Sequence, residues 1–369
     1  MGEDLAWATR ELARLIEIPS PYGEEGRILE HLERRLAELG CRARRIPVDG
    51  ERWELLAGAS DRPELLLVAH VDTIRPTWSW SPEAVVEGTV VRGLGAQDDK
   101  GGVATLLLLA RWFGADLPEA VGLAFTVDEE WGGTGSAALA DSVRPRAVVA
   151  LEGTGGRICT AEAGYVEAWV HVTGRSVHGS LIEEGDNAAV RAARLILELA
   201  DLSITRVAPH PLLGPSAVGI EEVHAGGPLF AVPGDARIRA DLRLSPPVRA
   251  EEALAALRDL AVRHGADVEL IEMADPFETP PDARLPGALA RAVREATGAE
   301  PAYGGMPSWT DAHNFVERAG SEAVVYGPGH LRAAHRPDEW IDVVEVLAAA
   351  RVLAELVRSW AHRGSTVEA

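Results

Sequence analysis

Acidic and histidine side chains stand where several apolar runs of this sequence end, and others follow a glycine-rich turn. Imidazole nitrogens and carboxylate oxygens are ligands that zinc takes in proteins. In an open α/β sheet, the ligand site lies beyond the carboxyl ends of the strands. The spacing therefore predicts a metal site assembled from strand ends. The side chains concerned are His70, Asp72, Asp98, Asp99, Glu129, Glu130 and Glu152.

The elements that must position these side chains are near-continuous apolar strands alternating with helices. Such strands are typical of a sheet that is covered by helices on both faces. We therefore expect an α/β catalytic domain with a mixed sheet flanked by helices on both faces. The predicted strands are 65–69, one around 85–92, 120–127, 147–151 and 321–326, and the predicted helices include 101–113, 285–297 and 343–361.

The pattern changes near residue 164, where strands begin to alternate between apolar and polar residues. The predicted order there is β-α-β-β-α-β, which indicates a ferredoxin-like arrangement. We expect an inserted lid or dimerisation domain over 164–274, and a discontinuous catalytic domain over 1–163 and 275–369, of which 363–369 should be frayed. The predicted strands of the insert are 165–173, 216–223, 236–244 and 266–271, and its helices are 186–202 and 249–264.

Composition excludes several other classes of protein. A formal net charge of −21 argues against binding to nucleic acid or to an anionic membrane surface. Two cysteines, Cys41 and Cys159, cannot form a disulfide framework, and the N-terminal stretch has no basic region followed by an apolar core. Apolar runs are too short to span a membrane. We therefore expect a cytoplasmic protein.

The candidate side chains match what a two-metal hydrolase requires, namely imidazoles, terminal carboxylates and one bridging group. In this interpretation His70 and His335 are imidazole ligands, and Asp98 bridges the two ions. Glu130 and Glu152 are the terminal carboxylate ligands.

Two further acids would support the ligands. Asp72 lies two residues from His70 and is placed to hold the second ring nitrogen. Glu129 would take a proton from the attacking water and pass it to the leaving amine. Taken singly, each strand-end acid is as readily explained as a helix cap; the combination with His70 and His335 favours the ligand set.

Five motifs in the same order make the sequence resemble the M20 metallopeptidases, the group of acetylornithine deacetylase, succinyl-diaminopimelate desuccinylase, aminoacylase-1 and the carboxypeptidase G type. The resemblance covers nearly the whole chain, and Leu94 replaces the arginine usual in the second motif. The motifs are HVDT at 70–73, GLGAQDDKG at 93–101, DEEWGG at 128–133, Glu152 after its strand, and AHRPDE at 334–339.

The resemblance implies further roles outside these motifs. His178 would reach into the partner subunit's site and stabilise the oxyanion, which requires a homodimer formed through the inserted domain. Arg243 would pair with a substrate carboxylate, as a guanidinium can do through two parallel hydrogen bonds. Thr310 and Asp311 would shape the substrate pocket. Phe230 stands where many members carry an asparagine, so no standard substrate subgroup is implied.

The expected function is hydrolysis of the amide bond of small N-acyl amino acids or short peptides by a metal-bridging water, with Glu129 as general base. The cofactors would be two divalent ions, zinc or alternatively cobalt, and the substrate would carry a carboxylate. A metal-dependent aminopeptidase or dipeptidase and a non-catalytic metal-binding scaffold remain as alternatives. His178 could instead be a surface histidine, and Arg243 a residue of an ion pair.

Other conspicuous residues are interpreted as structural. Asp99 and Lys100, the only lysine, are expected to form a surface pair or a helix cap. Asp128 is expected to be structural, and His330 to lie at the surface or in a substrate loop. The glycines at 132–135 lack the Lys-Ser or Lys-Thr of a phosphate-binding loop, so nucleotide binding is not expected.

Overall fold

The computed structural model describes residues 2–58 and 60–361, so the predicted frayed end at 363–369 lies outside the described residues. The helices are α1 Gly2–Ile16, α2 Gly26–Glu38, α3 Lys100–Phe113, α4 Thr134–Val143, α5 Ala188–Leu199, α6 Ala250–Arg263, α7 Arg284–Thr297, α8 Ala312–Asn314 and α9 Val343–Ala361. Short helical turns occur at Gly114–Asp116, Ile182–Glu184, Ser203–Arg206, Phe315–Ala319 and Leu331–Ala333.

The strands follow the same numbering by order in the chain. They are β1 Ala43–Pro47, β2 Trp53–Ala57, β3 Leu65–His70, β4 Val85–Glu87, β5 Val90–Arg92, β6 Val121–Thr126, β7 Ala147–Ala150, β8 Ile158–Glu162, β9 Gly164–Thr173, β10 Ala217–Gly226, β11 Asp235–Leu244, β12 Ala266–Ala274, β13 Phe277–Glu278, β14 Tyr303–Met306, β15 Glu322–Val325 and β16 Trp340–Asp342.

The chain divides into two compact units. The first comprises residues 1–160, 279–304 and 310–369, and the second comprises residues 161–278 and 305–309. The domain boundaries inferred from the sequence, 163/164 and 274/275, stay a prediction.

The first unit is built on a mixed sheet whose centre is parallel. Its strand order is β1-β2-β6-β3-β7-β15-β8, with β3, β6, β7 and β15 parallel and β1 and β2 antiparallel at one edge. Every residue of β3, β6 and β7 is buried, although successive side chains point to opposite faces of a strand. Both faces of the sheet centre are therefore covered, as expected from the apolar runs.

A three-stranded antiparallel sheet, β4-β5-β16, lies in the same unit and corrects one prediction. The single strand expected around 85–92 is a hairpin, because Gly88 adopts φ +65° and turns the chain between β4 and β5. β16 pairs with β5 through Trp340 and Arg92. This pairing brings the segment after His335 next to the turn that carries Asp98.

The second unit has a four-stranded antiparallel sheet of order β10-β11-β9-β12, with α5 and α6 packed on it. In chain order the strands and helices of this sheet are β9, α5, β10, β11, α6 and β12. This is the β-α-β-β-α-β arrangement predicted from the sequence. One apolar cluster, which includes Val170, Leu195, Ile238 and Leu257, forms its core. Within the described part of the chain, no helix is long and apolar enough to cross a membrane.

Candidate metal centre

The first group of possible metal ligands consists of His70, Asp98 and Glu152, all buried. His70 is the last residue of β3, and Glu152 follows the end of the neighbouring parallel strand β7. His70 Nε2 lies 2.9 Å from Asp98 Oδ1 and 3.7 Å from Glu152 Oε1. The shared edge of two parallel strands therefore brings His70 and Glu152 together, and the turn before α3 adds the carboxylate of Asp98.

The second group consists of Asp98, Glu130 and His335. His335 Nε2 lies 3.3 Å from Asp98 Oδ2 and 3.0 Å from Glu130 Oε2. The backbone of His335 has φ +57°, a left-handed conformation that is uncommon for residues other than glycine and recurs at functional sites. Asp98 presents one carboxylate oxygen to each group, which is the arrangement expected of a bridging ligand.

Asp72 connects this centre to the loop after β6. Its Oδ1 lies 3.4 Å from His70 Nδ1 and accepts a hydrogen bond from the backbone N–H of Glu129 at 3.2 Å. Its Oδ2 accepts from the backbone N–H of Glu130 at 3.0 Å. Asp72 therefore contacts the ring that it was predicted to orient, and it also positions the two adjacent glutamates.

Electrostatics within the centre reflect crowding of buried acids. Burial and the charge of Asp98 raise the pKa of Glu152 well above its usual range. Burial also raises the pKa of Glu129 well above its usual range, although His70 acts in the opposite direction. Hydrogen bonds to Asp98 and Glu130 raise the pKa of His335 to about 11. Positive charge near the clustered carboxylates would therefore stabilise their ionised forms.

This donor set fits divalent metal ions. In each group the ligand atoms all lie within 4.8 Å of one another. Imidazole with carboxylates is a common zinc ligand set, and buried carboxylates need a compensating cation. Asp72 on the far nitrogen of His70 is the arrangement that orients a metal-bound imidazole. Each group, His70 with Asp98 and Glu152 or Asp98 with Glu130 and His335, therefore has the donors to hold a divalent ion.

The model of peptidase family M20/M25/M40 matches residues 66–359. The chain belongs to this family. It is 29% identical over 315 residues to an acetylornithine deacetylase of Myxococcus xanthus, covering 81% of this chain and 80% of the relative. Among solved structures it resembles an M20 family metallo-carboxypeptidase of Sulfolobus solfataricus (TM-score 0.81, 17% identity, 96% and 99% of the chains) and a tripeptidase of Staphylococcus aureus (0.80, 18%, 96% and 98%).

Membership of the M20 family confirms the predicted fold class and the prediction of an enzyme that hydrolyses amides. A non-catalytic scaffold is correspondingly disfavoured. The family is metal-dependent, and the chain carries two groups of residues that can bind metal.

Two residues of the second M20 motif differ from the surface pair that was predicted. Asp99 and Lys100 are each only 1% exposed. Asp99 caps α3, as the alternative prediction had it, with Oδ1 accepting from the N–H of Gly102 at 3.0 Å. Lys100 Nζ donates to the carbonyl of Ile18 at 2.9 Å, and burial lowers the pKa of Lys100 to about 7. The peptide bond between Asp98 and Asp99 is cis.

A buried contact that sequence reasoning missed joins the second and last motifs. Glu339, 2% exposed, accepts at Oε1 from the backbone N–H groups of Gln97 at 2.9 Å and Asp98 at 3.1 Å. Burial raises the pKa of Glu339 to about 7. Glu339 therefore holds the turn that carries the candidate bridging ligand. The sequence signal for this role was the position of Glu339 in the last motif, four residues after His335.

Asp128 and His330 lie where they were expected. The Asp128 carboxylate accepts a hydrogen bond from Thr134 Oγ1 at 2.5 Å and pairs with Arg52 at 3.1 Å, which is a structural role. His330 is exposed. Its backbone N–H donates to Gln97 Oε1 at 2.9 Å, so the loop that carries it is tied to the turn before Asp98.

Thr310 and Asp311 are buried in the first unit. Asp311 Oδ2 accepts a hydrogen bond from Thr126 Oγ1 at 2.6 Å, at the end of β6. Burial raises the pKa of Asp311 to about 6, and burial together with Asp311 raises that of Glu54, on β2, well above its usual range. Sequence reasoning missed Glu54, whose only signal was an acid within a strand that is otherwise apolar. The substrate-binding role of Thr310 and Asp311 stays a prediction.

His178 and Arg243 belong to the second unit and to neither ligand group. His178 is exposed, with Nδ1 2.8 Å from Ser180 Oγ, and Arg243 Nε donates to Asp241 Oδ2 at 2.7 Å. Phe230 has φ +62° and is largely exposed. The roles of His178 and Arg243 stay predictions.

Proposed function

We propose that this M20 enzyme uses two divalent metal ions to hydrolyse the amide bond of small N-acyl amino acids or short peptides that carry a free carboxylate. The observation that supports this proposal most strongly is the pair of ligand groups that share Asp98. Two ions held in these groups, zinc or alternatively cobalt, would polarise the amide carbonyl and lower the pKa of the attacking water.

Glu129 is the residue that moves the proton. Its backbone N–H donates to Asp72, and the next residue, Glu130, belongs to a ligand group. The Glu129 carboxyl group interacts electrostatically with His70, Glu130 and Asp98 but is not one of the grouped ligands. The carboxylate takes a proton from water as the oxygen attacks the carbonyl carbon. The same carboxyl group then donates this proton to the nitrogen as the C–N bond breaks.

The substrate class rests on the relatives and on Arg243. The relatives include a deacetylase of an acetylated amino acid and a carboxypeptidase, and both names imply substrates with a carboxylate. The exposed guanidinium of Arg243 is of the kind that binds a carboxylate through two hydrogen bonds. A tripeptidase of similar fold keeps a second candidate open, a metal-dependent aminopeptidase or dipeptidase.

We further propose that the enzyme is a homodimer and that His178 of the second unit serves the partner's site. His178 is exposed in the described chain and belongs to neither ligand group, which is compatible with a role in trans. The ring would donate a hydrogen bond to the oxygen on which negative charge develops.

The test compares two adjacent glutamates. Glu129→Gln should keep two equivalents of zinc, as measured by elemental analysis after gel filtration, while turnover falls about 10²–10⁴-fold. Glu130→Gln, the matched control, should lower the metal content itself. N-acetyl amino acids and dipeptides with free or acetylated amino groups distinguish the two candidate functions. If the zinc-loaded or cobalt-loaded protein hydrolysed none of them, the proposed function would be wrong.

A further inference from the structure

A stacked aromatic pair adjoins the metal centre and has no role in the chemistry above. The rings of Tyr22 and Trp131 lie 5.1 Å apart between centroids with an angle of 10° between their planes. Trp131 is nevertheless 70% exposed. A large apolar ring left in water beside a site is a feature of surfaces that bind another apolar group.

The loops that carry the two rings are both attached to the end of β3. The backbone N–H of Tyr22 donates to the carbonyl of Thr73 at 3.1 Å, and the N–H of Thr73 donates to the carbonyl of Ser20 at 2.9 Å. On the other side, Asp72 holds the backbone of Glu130, which immediately precedes Trp131. Two loops that are far apart in the sequence are thus attached to the adjacent residues 72 and 73.

The position of Trp131 places the pair at the rim of the centre. Glu130 turns its carboxylate into the second ligand group, with 6% of the side chain exposed, and the next α-carbon is only about 3.8 Å further along the chain. The following indole remains in solvent. The stack thus lies one residue along the chain from a candidate metal ligand.

Tyr22 is supported from a third segment. The guanidinium of Arg75 lies 5.1 Å from the centroid of the Tyr22 ring, and its Nη2 donates to the Tyr22 carbonyl at 3.0 Å and to Glu24 at 2.9 Å. Tyr22 is therefore held by its backbone, by a cation and by the indole. A prearranged surface of this kind costs little ordering when a ligand binds.

We propose that the Tyr22–Trp131 stack selects substrates by receiving an aromatic or bulky apolar group attached to the scissile amide, either on its acyl side or on its amino-acid side. This inference rests on the proposed function for the reaction. It adds the chemical class of the substituent, which the ligand set and Arg243 leave open.

The primary test measures binding, so that it does not depend on turnover. In the Glu129→Gln protein, loaded with zinc, calorimetry compares N-acetylphenylalanine with N-acetylalanine, and benzoylglycine with acetylglycine. Adding Trp131→Ala should reduce the preference for the aromatic member of at least one pair about 3- to 10-fold, because a stacked ring is lost. Trp131→Phe should retain most of the preference, and Tyr22→Ala should lose part of it.

Trp112→Ala is the matched control. This tryptophan lies at the C-terminal end of α3, whereas Asp98 and Asp99 precede its N-terminal end. Trp112→Ala should leave both preferences unchanged. Unchanged preferences in Trp131→Ala, or equal losses for the aromatic and small ligands, would overturn the inference. Steady-state kinetics with Glu129 restored then separate the two proposals. If the parent protein hydrolyses none of these amides, the proposed reaction is wrong. If it does, but Trp131→Ala leaves the ratio of KM for the small substrate to KM for the aromatic substrate unchanged, the proposed role of the stack is wrong.

Discussion

Glu339 offers a sharp test of how the fold holds the candidate bridging ligand. Its carboxylate accepts two backbone hydrogen bonds, from Gln97 at 2.9 Å and Asp98 at 3.1 Å, in a site where Glu339 is 2% exposed. Glu339→Ala would leave both buried N–H groups without this acceptor. An unsatisfied buried donor costs about 1–3 kcal/mol, so two should lower the free energy of unfolding by roughly 2–6 kcal/mol.

The same substitution should weaken metal binding, because Asp98 would lose the contacts that fix its backbone. Loss of a partner that orients a ligand typically lowers affinity or activity about 10–100-fold. Glu339→Gln keeps one oxygen that can accept both bonds and should therefore fall between the parent and Glu339→Ala. Urea unfolding of the metal-free protein measures stability, and competition with a zinc chelator measures affinity.

Asp338→Ala is the matched control, since this neighbouring carboxylate is 64% exposed and pairs with Arg336 at the surface. Its effect should stay below about 1 kcal/mol, as is usual for exposed ion pairs. The reasoning is refuted if Glu339→Ala unfolds at the parental urea concentration and binds zinc with parental affinity. It is also refuted if Asp338→Ala has an equally large effect.

Three further outcomes are expected. Asp72→Asn should lower zinc affinity or turnover about 10–100-fold, because an amide cannot accept both backbone hydrogen bonds that the carboxylate holds; a parental value in both assays would contradict this. A mixture of His178→Ala and Glu129→Gln proteins, each of low activity, should regain activity after subunit exchange, and failure despite demonstrated exchange would exclude a role in trans. Lys100 is hydrogen-bonded to Ile18 and 1% exposed. It should react with an amine-reactive ester roughly 100-fold more slowly in the native protein than in the urea-unfolded protein, as measured by mass spectrometry, and equal rates would contradict its burial.

The sequence contains enough local information to predict the sheet centre and the strand ends. β3 and β7 are nearly continuous apolar runs. Such runs are typical of parallel strands whose two faces are both covered by helices. His70 ends β3 and Glu152 comes shortly after the end of β7, so the sequence alone assigns both side chains to one edge of the sheet. The hairpin between β4 and β5 was harder to predict, because a single glycine interrupts an otherwise strand-like segment.

Contacts between residues that are far apart in the sequence could not be predicted in this way. Glu339 and Asp98 are 241 residues apart, and no local pattern of charge or polarity reports that a carboxylate meets a particular backbone N–H. The burial of Lys100 was missed because its chemical type predicts solvent exposure. Its side chain packs where Gly95 has no Cβ, with the position of such an atom only 3.2 Å from Lys100 Cδ and Cε, and only the assembled fold shows this space.

The end of β3 explains why the centre and its rim can act together. His70 is a candidate metal ligand, Asp72 contacts its ring and fixes the backbone of the two glutamates, and Thr73 fixes the loop of Tyr22. A displacement of Asp72 would therefore shift both the candidate metal ligands and the loop before Trp131. If these contacts act as one unit, Asp72→Asn should weaken both zinc binding and the aromatic preference, whereas Glu339→Ala, which acts on Asp98, should weaken zinc binding and leave the preference of the metal-loaded protein unchanged.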